Sequence, residues 1–295
     1  MATSIRHARL HRPAREGVRR QVREVFRHGI WHLVLVLGAL TMVGPFLWML
    51  SSSLKAEADV FIFPPQWIPS PLHWSNYADL MNDMPFALFA FNSFEIAILV
   101  TLGQLLSCSL AAYAFARLKF PGREVLFIIL LAALMIPGEV TIIPVYLIMR
   151  SLGWLNTHLP LIVPYFFGGA FGTFLLRQFF LTIPSELEDA ARIDGAGRFV
   201  IYRRIFLPLA KPALATLGLF IFLGQWNNLL GPVIYLNDQS QMTLTVGLSY
   251  MQGEYSTQWN LLMAGTVVSV LPILVLYAFA QKYFVQGVVL SGLKG

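Results

Sequence analysis

The chain has 295 residues, 57% of them hydrophobic and 12% charged, with a mean hydropathy of +0.65. Soluble globular chains carry roughly 25% charged residues, and so few charges could not cover a surface of this size in water. A soluble enzyme, a disordered chain and a secreted disulfide scaffold are excluded. The formal charge is +6. The basic residues sit between apolar runs, which points to membrane topology and away from nucleic acid.

In chain order, residues 1–29 form a basic tail that carries Arg6, Arg9, Arg12, Arg15, Arg19, Arg20, Arg23 and Arg27. His7 and His11 are four apart, but the glutamate of a zinc-binding helix is missing. The remaining histidines, at 28, 32, 73 and 158, have no metal-ligand spacing, so no metal is expected. The apolar run that follows, 30–50, is too long for the core of a signal sequence and is expected to stay as a membrane helix. Further apolar runs cover about 86–115, 125–149, 159–180, 207–230 and 261–284. Each is close to the ~20 residues that cross a ~30 Å hydrocarbon layer, and none has the short alternating pattern of a barrel strand.

The expected fold is therefore all-α: a polytopic membrane protein with six transmembrane helices. The transmembrane domain spans 30–284 and a C-terminal tail covers 285–295. Pro45, Pro137, Pro144, Pro164 and Pro272 are expected to kink or break their helices. Cys108 is the only cysteine, lies in an apolar run and reads as a small buried hydrophobe.

Nineteen of the 21 lysines and arginines fall on one side of this arrangement; only Lys55 and Arg150 fall on the other. The positive-inside rule then places both termini in the cytoplasm, as an even number of crossings requires. On the opposite side, residues 55–85 carry Glu57, Asp59, Asp79 and Asp83, with Trp67 and Trp74 expected at headgroup depth. The polar loop 231–259 reads either as a face for a soluble partner or as a solvated connector.

One cytoplasmic segment, 183–206, departs from the apolar pattern. Ser185 and Glu188 fit a capping box. Glu186, Glu188 and Asp189 suit the first turns of a helix, and Gly195 or Gly197 can end it. A second short helix is expected from Arg198 to Ile205, before Pro208 opens the fifth membrane segment. The small residues Ala190, Ala191 and Gly195 allow close approach to another surface, although an amphipathic helix resting on the bilayer has the same pattern.

This segment resembles the coupling-loop motif of binding-protein-dependent ABC importer permeases, which reads E-A-A, three residues, G, nine residues, I-x-L-P. Here Asp189-Ala190-Ala191, Gly195 and Ile205-Phe206-Leu207-Pro208 match it, with Asp in place of the first Glu. Ala190 to Ala196 also reproduces the longer form found in sugar importer permeases. Ala112 to Arg117, Met135-Ile136-Pro137 with Ile143-Pro144, Trp226-Asn227 and Gly287 to Gly295 extend the likeness to the second permease subunit of maltose and glycerol-3-phosphate type systems, carbohydrate uptake subfamily 1.

The resemblance implies a type I ABC importer permease fold in a prokaryotic plasma membrane, with a cytoplasmic coupling helix. Glu188, Asp189, Ala190, Ala191, Arg192, Asp194 and Gly195 are the residues it implies for coupling to an ATPase. Its implied partners are a second related permease in a heterodimer, two ATP-binding subunits, an extracytoplasmic solute-binding protein and the lipid bilayer. Nucleic acid is not among them. The chain has no G-x-x-x-x-G-K-[ST], and Gly168-Gly169-Ala170-Phe171-Gly172 lacks the lysine. It is thus expected to bind no cofactor and to be no enzyme, with ATP and Mg held by the partner subunits.

Polar residues inside hydrocarbon are costly and mark candidate paths. These are Asn92, Gln104, Glu139, Gln225, Trp226, Asn227 and Asn228. Amides beside aromatic faces suit a sugar or polyol, while hydrogen bonding between helices is their alternative use. The expected function is half of an ATP-driven translocation path. The alternatives are a self-contained secondary transporter of a small polar solute, for which no internal repeat is found, and a membrane-bound enzyme, for which no catalytic constellation is found.

Overall fold

A computed structural model describes residues 14–253 and 257–292, with side chains placed over 26–253 and 257–281. Arg6, His7, Arg9, His11, Arg12 and Lys294 lie outside the described residues, as do the side chains of Arg15, Arg19, Arg20, Arg23 and Lys282. The described secondary structure is helical, apart from one isolated bridge between Gln252 and Thr257.

Helix α1 runs Ala14–Ser52, and the most apolar 18 residues within Phe26–Ser52 have a mean hydropathy of 2.2. Much of the expected basic tail is thus continuous with the first span. Once an apolar helix is formed, Arg-, Glu- and Val-containing sequence extends it at little cost. A loop leads to α2 (Ser75–Asp83), and α3 (Phe86–Arg117) follows as the second span. Half of the apolar window of α3 is buried, against none of that of α1, so α3 is a central post and α1 an outer one. This fits their packing. α3 lies against α6 (Leu159–Phe166), α7 (Ala170–Thr182) and α11 (Lys211–Trp226), whereas α1 touches mainly α14 (Trp259–Gly292).

The third and fifth spans are broken. Helix α4 (Arg123–Ala132), with its 3-10 extension to Met135, meets α5 (Gly138–Ser151) at 99°. Pro137 supplies the extended backbone between them. The other four prolines interrupt nothing: Pro45, Pro144, Pro164 and Pro272 lie inside α1, α5, α6 and α14. Each removes one backbone hydrogen bond, which membrane helices tolerate.

The fifth span also differs from expectation. A helical run Arg198–Leu209 contains α9 (Arg198–Ile201), a π-helical turn at Tyr202–Phe206 and α10 (Leu207–Leu209). It meets α11 at 77°, across Ala210. Its longer arm, α11, therefore starts at Lys211 and ends at Trp226, and Asn227 and Asn228 lie past that end.

Counting each bent pair once gives up to six crossings. Two large apolar cores, and a small one of Ile96, Val100, Leu161 and Leu236, hold them together. One, near the basic end of the bundle, joins Cys108, Tyr113, Leu176, Phe180, Tyr202, Phe206 and Leu217. The other, at the far end, joins Leu80, Phe86, Phe89, Phe222, Trp226, Leu244 and Ala264. Cys108 is fully buried as expected, and its thiol donates to the Gly169 carbonyl at 3.3 Å. Close helix contact rests on glycine: a Cβ on Gly103 would sit 2.0 Å from the Phe166 ring.

Candidate functional site

The segment 183–206 emerges at the basic end of the bundle as α8 (Ser185–Ile193), followed by a tight reversal. Its C-terminus closes in a Schellman motif. The Gly195 N–H donates to the Arg192 carbonyl at 3.0 Å, and the Ala196 N–H donates to the Ala191 carbonyl at 2.9 Å. Gly195 takes φ +80°, the left-handed conformation that the motif requires. Gly197 has an ordinary φ and precedes α9.

The expected capping box does not form: Pro184 is the N-cap and no side chain caps the helix. Glu188 turns inward instead, 7% exposed, with its Oε1 2.5 Å from Arg192 Nη2 and its Oε2 4.0 Å from Arg117 Nη1. Two guanidinium groups hold a carboxylate more strongly than one neutral N–H does. The outward face is left to Glu186, Leu187, Asp189, Ala190, Ile193 and Asp194, all exposed. Asp189 is 65% exposed, so it and not Glu188 occupies the outward acidic position. Ala191 and Ala196 pack inward against the basic-end core. A cavity of about 540 Å³, lined by Arg117, Lys119, Arg123, Glu188, Arg192 and Arg198, opens beside the loop, and another of about 470 Å³ lies along Lys119–Val125.

The polar residues of the bundle fall at separate places. Asn92 is buried, and its Nδ2 donates to the carbonyls of Ser240 (3.0 Å) and Met242 (2.9 Å), which ties α3 to the far-end loop. Gln104 donates to the Gly168 carbonyl at 3.3 Å, where α6 gives way to α7. Glu139 is exposed in the first turn of α5. Gln225 has its Oε1 buried without a hydrogen-bond partner. Trp226 is a core residue: it stacks on Phe222 and donates from Nε1 to the Ser269 carbonyl at 3.1 Å. Asn227 is exposed and bonds back to the Leu223 carbonyl. Asn228 accepts from the Gly231 N–H. Among the described residues no hydrogen bond joins these side chains to one another, and no group of His, Cys, Asp and Glu could hold a metal ion.

Residues 103–290, which include the 183–206 segment and four of the spans, match the family described as "Binding-protein-dependent transport system inner membrane component". The chain belongs to this family. The permease is 35% identical over 266 residues to the sn-glycerol-3-phosphate transport system permease protein UgpE of Yersinia enterocolitica, covering 88% of this chain and 94% of the relative. It is 35% identical to the sulfoquinovosyl glycerol transport system permease protein SmoH of Agrobacterium fabrum, over 85% of this chain and 88% of that one. Among solved structures it superimposes on a chain of a bacterial ABC transporter involved in the import of the acidic polysaccharide alginate. The TM-score is 0.78 at 27% identity, covering 89% of this chain and 98% of that one.

The protein is thus a multi-pass membrane permease subunit of an ABC importer, a transport subunit and not an enzyme, and it works with a separate ATPase. Two features of the permease escape sequence reasoning. Arg117 reads as a topology marker, yet it reaches α7 and α8, because the ends of α3 and α7 are brought side by side. His158 sets Nδ1 3.2 Å from Glu95 Oε2 and Nε2 3.0 Å from the Gln241 carbonyl, which joins the starts of α3 and α6 to the far-end loop. Only the fold brings these residues together.

Proposed function

We propose that this permease forms half of the translocation path for a sugar or related polyol, in a complex with a second related permease, two ATP-binding subunits that hold ATP and Mg, and an extracytoplasmic solute-binding protein. Both termini are cytoplasmic in this reading, which the one-sided distribution of basic residues supports. The observation that carries it is α8: a Schellman-closed helix at the basic end, with Asp189, Ala190, Asp194 and Gly195 outward and Ala191 inward. Glu188, braced by Arg192 of the same helix, faces the bundle from beneath, while Asp189 and Ala190 meet the ATPase.

The relatives named for sn-glycerol-3-phosphate and sulfoquinovosyl glycerol, with the alginate importer, support a hydroxyl-rich substrate class. In the path, Gln104, Glu139, Gln225 and Asn227 keep polar atoms available, Gln225 Oε1 with no partner inside the bundle. Asn92 and Trp226 act at the path's wall, since their N–H donors are spent on main-chain carbonyls, while Asn228 keeps its Nδ2 available.

The test is co-expression with the cognate ATPase and second permease, purification through this chain, and ATP-driven uptake in proteoliposomes of the ligand that the solute-binding protein retains. ATPase is expected to co-purify with the native chain and to be lost with Ala190→Trp, while Asp189→Glu keeps it. Uptake by the purified chain without an ATPase would overturn the proposal in favour of a secondary transporter.

A further inference from the structure

Arg117 is the last residue of α3, and its side chain is 11% exposed. Its Nη2 donates to the carbonyl of Phe180 at 2.6 Å and to that of Ile183, which together end α7. Its guanidinium lies 5.0 Å from the centre of the Phe206 ring, in the run that enters the fifth span. Its Nη1 faces Glu188 of α8. One side chain thus touches the second span, the end of the fourth, the entry to the fifth and the coupling helix.

The other contacts between α8 and the bundle are of a different kind. Ala191 and Ala196 rest on the apolar core. Such contacts resist compression but are non-directional, so a helix pulled away or sideways slides over them. Glu188 and Arg117 are instead two buried opposite charges 4.0 Å apart, and separating them leaves each without its counter-ion. Glu188 is additionally held in place by Arg192 on its own helix.

We propose that the Glu188–Arg117 pair is the link that makes α3 and α7 follow α8 when an ATPase moves it. Both are positioning residues: neither touches ATP or substrate. The inference rests on the reading of α8 as the ATPase-docking helix and adds which side chains pass its movement on.

The test uses the complete importer complex in nanodiscs, with spin labels on Glu186→Cys, exposed on α8, and Leu110→Cys, exposed on α3. The distance between them is measured by pulsed electron paramagnetic resonance, without nucleotide and with Mg-ATP trapped by vanadate. With the native pair the distance should not change. In Glu188→Gln, and in Arg117→Lys, which keeps the charge but loses the fork, it should shift with nucleotide by about 1–2 Å, the scale of packed-helix movements. ATP hydrolysis and the amount of co-purified ATPase should be kept in both.

An unchanged distance in both variants would overturn the inference. Loss of the ATPase from either purified variant would overturn it too, because the pair would then serve docking. If the native complex retains no ATPase, the docking reading itself fails, and the inference with it.

Discussion

Asn92 and Met242 stand 150 positions apart in the chain, and the side-chain amide of the first is bonded to the main-chain carbonyl of the second at 2.9 Å. The same Nδ2 holds Ser240, and the neighbouring Ser93 Oγ accepts from the Leu244 N–H at 2.8 Å. Two consecutive side chains of α3 therefore fasten the loop that leads into α13 (Leu244–Tyr250). Asn92→Ala would leave two carbonyls without their donor, at a cost of roughly 1–3 kcal/mol. The expected outcome is a lower unfolding temperature of the detergent-solubilised complex and faster proteolysis within 236–244, with Ser93→Ala acting in the same direction. A changed transport KM with unaltered thermal stability would show instead that Asn92 serves the path directly.

Glycine at Gly103 and Gly38 answers to different constraints. A Cβ on Gly103 would lie within 2.5 Å of three atoms of the Phe166 ring, whereas one on Gly38 would meet nothing within 4 Å. Gly103→Ala forces α3 and α6 apart and should destabilise by about 1–3 kcal/mol. Gly38→Ala only improves helix propensity and should stabilise by roughly 0.5–1 kcal/mol. Thermal unfolding of both variants checks this, and equal shifts would contradict the packing of α6 on α3.

Apolar run length made the six segments legible, because hydrocarbon thickness sets that length directly. The breaks at Pro137 and Ala210 were harder to see. A proline signals a lost N–H, yet four of five named prolines sit within continuous helices. Which one breaks depends on tertiary contacts. The 183–206 segment was legible as a helix ended by Gly195, since the left-handed turn needs that residue. The role of Glu188 was not, because a capping box and an ion pair with Arg117 draw on the same carboxylate. Only the placement of α3 beside α7 decides between them.

Gly195 offers a test of the loop that adds no bulk to a contact. Nothing lies within 4 Å of a Cβ built there, but its φ is +80°. Gly195→Ala therefore carries only a backbone cost, about 1–2 kcal/mol for a left-handed residue, concentrated where α8 ends. Asn tolerates this conformation better than Ala. Co-purification of ATPase should fall in the order Gly195, Gly195→Asn, Gly195→Ala. Equal recovery from the two variants would show that steric access and not backbone conformation governs the site.

Lys55 supplies the pH dependence. It follows the outer end of α1, is 1% exposed and places Nζ 3.9 Å from the centre of the Trp48 ring. Its Nζ has no hydrogen-bond partner, nor do the buried hydroxyls of Ser51 and Ser52. Burial pushes the Lys55 ammonium below its ordinary value of 10.5, and the charge of Asp59 pulls it partly back. The folded state then binds fewer protons than the unfolded one between the depressed value and 10.5. Stability must therefore rise with pH across that window and level off above it. Lys55→Met removes the burial of an unpaired charge while keeping the stem that packs on Trp48. It should stabilise the folded chain near neutral pH by about 1–3 kcal/mol and flatten the alkaline rise. Unfolding temperatures of the native and Lys55→Met chains between neutral pH and 10.5 measure both effects. An alkaline rise that survives in Lys55→Met would assign it to another group, and a destabilised Lys55→Met would mean that the Trp48 ring compensates the ammonium in full.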